Sequence, residues 1–142
     1  HLCGKGKTDK SFENKEGYVQ FEYAGKELRD MFALSSLVIS RAGANAICEL
    51  LALHKPNILI PLSAAASRGD QILNARSFEK QGYSYVIEEE NLTKETLDAA
   101  IKKVMTEKET YISNMKSSQQ LDSIHTILKL IEEASEKKKK KA

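Results

Sequence analysis

The sequence predicts an α/β fold built around a parallel sheet. Short apolar runs recur as "LVIS" (Leu37–Ser40), "NILIPL" (Asn57–Leu62) and "YSYVI" (Tyr83–Ile87). Segments with apolar residues three and four apart lie between and after them, which is helical spacing. The two types alternate along the chain. Short buried strands alternating with amphipathic helices imply βαβ units and a parallel sheet covered on both faces.

Each element has its own signal. The opening "HLCGKGK" lacks an initiator Met and reads like a strand end entering a Gly-Lys loop. It predicts a fragment whose first elements are missing. Residues 5–16 are polar and read as loop or a short helix. "YVQFEY" (Tyr18–Tyr23) alternates and is β-rich, so it predicts a strand. "KELRDMFALS" predicts a helix carrying Leu28, Met31, Phe32 and Leu34. "LVIS" follows as a short buried strand. "ANAICELLALH" (Ala44–His54) predicts a helix with Ile47, Leu50, Leu51 and Leu53 apolar and Cys48 as a small core residue. Pro56 sets off the strand "NILIPL". A small-residue loop then enters a helix at Asp70 that stops at Gly82, a residue suited to a helix C-terminus. "YSYVI" is the next strand. Thr93 reads as the N-cap of a helix through Leu97, Ala100, Ile101 and Val104, with Thr96 three residues beyond the cap. A last helix over roughly 119–135 carries Leu121, Ile124, Leu128 and Ile131. A Lys run closes the chain. The domain reading is one α/β unit over 1–136 and a disordered tail over 137–142.

Bulk properties narrow the function. The 142 residues suffice for one core. Apolar residues make up 41% and charged residues 30%, which is ordinary for a globular protein. No run approaches the roughly 18–20 apolar residues of a membrane span, and no signal-peptide pattern opens the chain. Net charge is +2, but Lys137–Lys141 supply five positives; without them 17 basic residues face 20 acidic ones. The body is mildly acidic, and no nucleic-acid partner is expected. The Lys run is either a solubilising end or weakly attracted to an anionic membrane surface. Cys3 and Cys48 are far apart and fit a reducing compartment. The three His (His1, His54, His125) are scattered, and no metal or other cofactor is expected.

In parallel sheets, ligands gather where strand carboxyl ends lead into helices. The rule points to the loops after Tyr23, Ser40 and Leu62. After Ser40, Gly43 permits a tight turn and close backbone approach. The helix beyond it offers unpaired N–H groups from Ala44, Asn45 and Ala46, suited to a phosphate. Glu49, one and a half turns in, either accepts hydrogen bonds from a sugar diol or merely complements the helix dipole. Further on, Asp70, Gln71 and Asn74 open a helix, with Asp70 and Asn74 on one face. They either meet a hydroxyl-rich ligand or serve as an N-cap, with Ser67, and a solvated face.

The stretch "VISRAGANAICELLALHKPNILIPLSAAASRGDQILNARSFEKQGY", with "HLCGKG" before it, resembles the C-terminal domain of the MurG family. "RGDQ" resembles the Gram-positive form. The resemblance covers most of residues 1–105. It implies a Rossmann-like, partial C-terminal domain of a GT-B glycosyltransferase. It implies an inverting transfer of GlcNAc from UDP-GlcNAc onto undecaprenyl-diphosphate-MurNAc-pentapeptide, converting lipid I to lipid II in peptidoglycan synthesis. On matching positions, Gly43 to Glu49 wrap the UDP, with Glu49 on the ribose. Gln71 contacts GlcNAc hydroxyls, with Asp70 and Asn74 beside it, and Ala24–Gly25 hold the uracil edge. Arg41 matches a family arginine that serves either packing or phosphate contact. The acceptor domain, the catalytic base and a Gly-Ser-rich diphosphate loop belong to missing parts, so no catalytic residue is assigned and the fragment alone is expected to be inactive. No Asp-x-Asp cluster is present, in keeping with metal-independent transfer. The implied location is peripheral, on the cytoplasmic face of the bacterial membrane, with the fragment itself soluble. Two alternatives stand beside this. One is a one-domain UDP-GlcNAc transferase subunit needing a membrane partner. The other is a nucleotide-sugar-binding module without transferase activity.

Overall fold

In the computed structural model the chain forms two units, His1–Ser35 and Ser36 onward. The structure describes residues 1–118 and 127–133. The Lys run and, of the last expected helix, residues 119–126 and 134–135 lie outside these residues.

In the first unit, the expected strand over Tyr18–Tyr23 does not form. A single parallel bridge joins Leu2 and Phe21, closed by Cys3 N–H to Phe21 C=O and Phe21 N–H to His1 C=O, both 2.8 Å. The alternating pattern fails because the ladder stops there and the side chains find no core. Val19 is 63% exposed and Tyr23 83%. The Gln20 amide instead clamps Asp9 in both directions, donating to its C=O at 2.6 Å and accepting from its N–H at 3.0 Å. Asp9 in turn caps a short 3-10 turn, Lys10–Phe12. Helix α1, Leu28–Leu34, closes the unit and leaves Leu34 86% exposed.

The second unit holds a three-stranded parallel sheet of β1 (Val38–Ser40), β2 (Asn57–Leu59) and β3 (Tyr85–Val86), in that spatial order. Val38 faces Asn57, Ser40 faces Leu59, and Leu59 faces Val86. Central β2 is buried on both faces, with Ile58 and Leu59 at 0% exposure. The expectation that "LVIS" is fully buried fails at Ile39, which is 45% exposed on outer strand β1.

Helix α2 (Ala44–Ala52) buries Ile47, Leu50 and Leu51. That stripe turns Cys48 outward, so the expected core cysteine is exposed. Helix α4 (Asp70–Lys80) contributes Ala75 and Phe78, α5 (Lys94–Thr106) Ala100 and Val104, and α6 (Lys108–Lys116) Tyr111 and Met115. The loop expected before Asp70 contains a one-turn helix, α3 (Ala64–Ser67). Residues 127–133 are helical.

The helix ends follow local rules. Gly82 has φ +70°. Its N–H bonds Glu79 C=O at 2.9 Å, and Tyr83 N–H bonds Phe78 C=O at 2.9 Å. This is a Schellman ending, and the accompanying apolar contact is the edge-on pair Phe78–Tyr83, with ring centroids 5.6 Å apart. α2 ends in the same way, with His54 N–H on Leu51 and Lys55 N–H on Leu50. There a histidine takes the left-handed position at φ 49°. At the start of α5, Thr93 and Thr96 form a reciprocal capping box.

Candidate functional site

Three loops leave the carboxyl ends of β1, β2 and β3, where parallel-sheet proteins hold ligands. The loop after β1 is Arg41–Gly43. Its last residue is the N-cap of α2, at φ −67° and ψ 140°. Any residue adopts that backbone, so the expected tight-turn role of Gly43 does not hold. What Gly43 provides is room, because a Cβ built there meets nothing within 4 Å. No side chain caps α2. The N–H groups of Ala44, Asn45 and Ala46 therefore keep their donor capacity for an anion. Asn45, Cys48, Glu49 and Ala52 are exposed on one face of α2, opposite the buried stripe. The Glu49 side chain makes no hydrogen bond or ion pair among the described residues, which leaves its carboxylate able to accept.

The loop after β2, Ile60–Ser63, is tied down from several sides. Leu62 N–H donates to Gln71 Oε1 at 3.2 Å. Ser63 N–H donates to Glu89 Oε2 at 3.2 Å. Arg41 Nη1 donates to Ile60 C=O at 3.2 Å. The Ser67 hydroxyl reaches the Leu62 and Ser63 carbonyls at 3.2 and 3.3 Å. Beyond α3, Arg68 (φ 55°) and Gly69 (φ 86°) are both left-handed, and Gly69 is the N-cap of α4 without a side-chain bond. Neither Ser67 nor Asp70 caps that helix.

α4 brings two of the expected residues to these loops. Gln71 holds Leu62, and Asn74 Nδ2 donates to Ala42 C=O at 3.1 Å. Asp70 is exposed and makes no such contact. Because a backbone N–H must donate, the Gln71 atom on Leu62 is the carbonyl oxygen. The amide NH2 is then the group left for a ligand.

Glu89, in the loop after β3, was not singled out from the sequence. It binds Arg41 Nη2 at 2.7 Å as well as Ser63 N–H. The Arg41 guanidinium, then the Ser63 N–H, hold its carboxyl below the ordinary glutamate value of 4.5. Beside it Glu88 pairs with Arg76, which also binds Glu79. A shallow cavity of about 260 Å3 lies between Pro61–Ala64, Ile72 and Glu88–Glu90. The same carboxyl-end rule that pointed to the other loops would have found Glu89, had it been applied after "YSYVI".

Gly25 lies in the first unit. The strand expected to lead into its loop is absent, and its N–H is taken by Glu27 Oε2 at 3.1 Å. Its C=O accepts from Leu28 N–H at 3.2 Å. The backbone groups expected at a base edge there are thus engaged locally.

The model of the glycosyltransferase family 28 C-terminal domain matches residues 1–139. The chain is 66% identical over 133 residues to the UDP-N-acetylglucosamine–N-acetylmuramyl-(pentapeptide) pyrophosphoryl-undecaprenol N-acetylglucosamine transferase of Lachnoclostridium phytofermentans, covering 94% of this chain and 38% of that protein. The protein of the same name from Lachnospira eligens is 62% identical, covering 95% and 38%. That of Geobacillus thermodenitrificans is 58% identical, covering 93% and 37%. The chain thus spans less than two fifths of the length of these curated relatives. In fold it is similar to the crystal structure of Acinetobacter baumannii MurG, with a TM-score of 0.64, 19% identity, and coverage of 81% of this chain and 33% of that one.

Proposed function

The chain belongs to the glycosyltransferase family 28 C-terminal domains, and on that footing we propose that it is the donor-binding part of an inverting UDP-GlcNAc transferase. The acceptor is undecaprenyl-diphosphate-MurNAc-pentapeptide, and the product lipid II. The observation that carries this reading is the high identity, over nearly the whole chain, to proteins named for that transfer. The uncapped N-terminus of α2, with open space over Gly43 and an unpaired Glu49, supports it chemically.

In this reading the acceptor hydroxyl attacks the anomeric carbon of GlcNAc as UDP leaves. The diphosphate gains charge in the transition state, and the N–H groups of Ala44–Ala46 stabilise it without reorganising. Glu49 accepts from the ribose diol. Gln71 donates its amide NH2 to a GlcNAc hydroxyl while its carbonyl stays on Leu62. Asn74 and Asp70 border that subsite. The general base and the acceptor site belong to the N-terminal part of the longer protein. No helix among the described residues is long and apolar enough to cross a membrane. Contact with the cytoplasmic membrane surface, where the lipid acceptor resides, is part of the proposal.

The test is transfer of labelled GlcNAc from UDP-GlcNAc to the lipid acceptor by the full-length protein, with UDP titrated against it calorimetrically. Saturable UDP binding and lipid-linked product are expected. Binding without product supports the non-catalytic module, and absence of both rejects the donor reading.

A further inference from the structure

We propose that Glu89, acting with Arg41, is a positioning residue for sugar selection, fixing the Ile60–Ser63 loop on which Gln71 is set. This rests on the donor-binding reading above.

Arg41 links all three strand-end loops. It leaves the end of β1, donates Nη1 to Ile60 C=O beyond β2, and donates Nη2 to Glu89 beyond β3. Glu89 passes the tie on by accepting Ser63 N–H with its second oxygen. Two successive peptide N–H groups, those of Leu62 and Ser63, are therefore held by two different side chains. Gln71 holds the first and Glu89 the second. The Leu62–Ser63 peptide that Glu89 holds adjoins the Pro61–Leu62 peptide whose N–H Gln71 accepts, so a displacement of the first shifts the second and with it the direction in which the Gln71 amide points.

The other ties of the loop, the Ser67 hydroxyl on the Leu62 and Ser63 carbonyls and Ile60 N–H on Ser40 C=O, leave the Leu62 and Ser63 N–H groups to Gln71 and Glu89. α3 is one turn long and ends in the two left-handed residues Arg68 and Gly69. The pair is also poorly placed to serve stability. The Arg41 and Glu89 side chains are 48% and 35% exposed, and exposed ion pairs add little to folding. A charged pair that adds little stability yet spans three loops at a ligand site is best explained by the geometry it imposes. Small misplacements of a contact group have large effects on turnover.

The experiment compares Glu89→Ala, Glu89→Gln and Gln71→Ala in the full-length protein, with kcat/KM for UDP-GlcNAc and its 4-epimer UDP-GalNAc, the Kd of UDP, and Tm. We expect Glu89→Ala to lower kcat/KM for UDP-GlcNAc by about tenfold, the scale of slight misplacement. It should shrink the preference over the epimer and leave the UDP Kd within about twofold, since the nucleotide contacts lie on α2. Glu89→Gln keeps one acceptor oxygen and should fall between. In a Gln71→Ala background, Glu89→Ala should not change the donor ratio further, because its effect runs through Gln71. An unchanged donor ratio in a folded Glu89 variant overturns the proposal, as does a parallel loss on both donors with a lowered Tm. Should Glu89→Ala not fold, the ratio measured on Glu89→Gln decides. If wild-type protein binds no UDP-GlcNAc, the donor reading fails and this proposal with it. Normal wild-type binding with an unchanged ratio in the variants removes this proposal alone.

Discussion

On the outward face of α2, Glu49 carries a charge that no protein group among the described residues neutralises. Its neighbours along that face, Asn45, Cys48 and Ala52, are small or neutral, so a diol meets a carboxylate with spare acceptor capacity. Glu49→Gln is expected to weaken UDP binding by about 1–3 kcal/mol, the range for a lost charged hydrogen bond. Binding of N-acetylglucosamine phosphate should change less. Isothermal titration of both ligands checks this, and an unaltered UDP affinity would return Glu49 to complementing the helix dipole. Gln71 differs, because half of its amide is already committed to Leu62. As a donor alone it reads a hydroxyl's acceptor orientation, and an epimer leaves that donor unpaired. Gln71→Ala is therefore expected to lower transfer from UDP-GlcNAc and narrow its advantage over UDP-GalNAc, measured as the ratio of kcat/KM values. Asn74→Ala should act in the same direction but less, since its NH2 already donates to Ala42 C=O.

The helix ends make a matched pair of experiments. α2 and α4 close with the same two backbone bonds, one through His54 and the other through Gly82. At Gly82 a Cβ would collide with Asn114 Nδ2 in addition to the left-handed strain. Gly82→Ala should cost about 1–2 kcal/mol, the left-handed penalty for an L-residue, with any displacement of Asn114 added. His54→Gly removes such strain and should raise stability by about 0.5–1 kcal/mol, less what glycine gains in the unfolded chain. Urea denaturation midpoints of the two variants should move in opposite directions. Elements with explicit punctuation were legible in the sequence: Gly82 ended α4, and Thr93 with Thr96 opened α5. α6 was not legible, because no Gly or Pro separates it from α5. Glu107 serves as the last cap of one and the first cap of the other. Tyr18–Tyr23 had the right alternation and no ladder to join, which a pattern cannot reveal.

Across the whole molecule, local order was readable and long-range partnership was not. The parallel sheet followed from apolar runs and their connections. The partners of Glu89 lie 48 and 26 residues away, so its place after a strand marks "EEE" as a candidate, but nothing near it in the chain shows which groups it holds. Gln71 and Asn74 were legible as a polar helix start, but which backbone groups they hold was not. Lys137–Lys141 belong to this scale too, since five charges act on a surface larger than any one site. If the run meets an anionic leaflet, removing residues 137–142 should reduce sedimentation with phosphatidylserine vesicles, by at most about 1 kcal/mol per Lys. Equal sedimentation assigns the run to solvation.

Gly43 offers a way to separate ligand from fold. Its φ of −67° suits any L-residue and the space above its Cα is open, so a methyl group there perturbs only what comes from outside. The gain in chain stiffness, about 0.4–1 kcal/mol, is roughly balanced by alanine's poorer capping. Gly43→Ala should therefore leave Tm almost unchanged while lowering UDP affinity. That one carbon then works as a proximity gauge, reporting how closely a guest's diphosphate approaches the backbone. A variant that binds UDP as well as the parent would mean that the guest never comes near this turn.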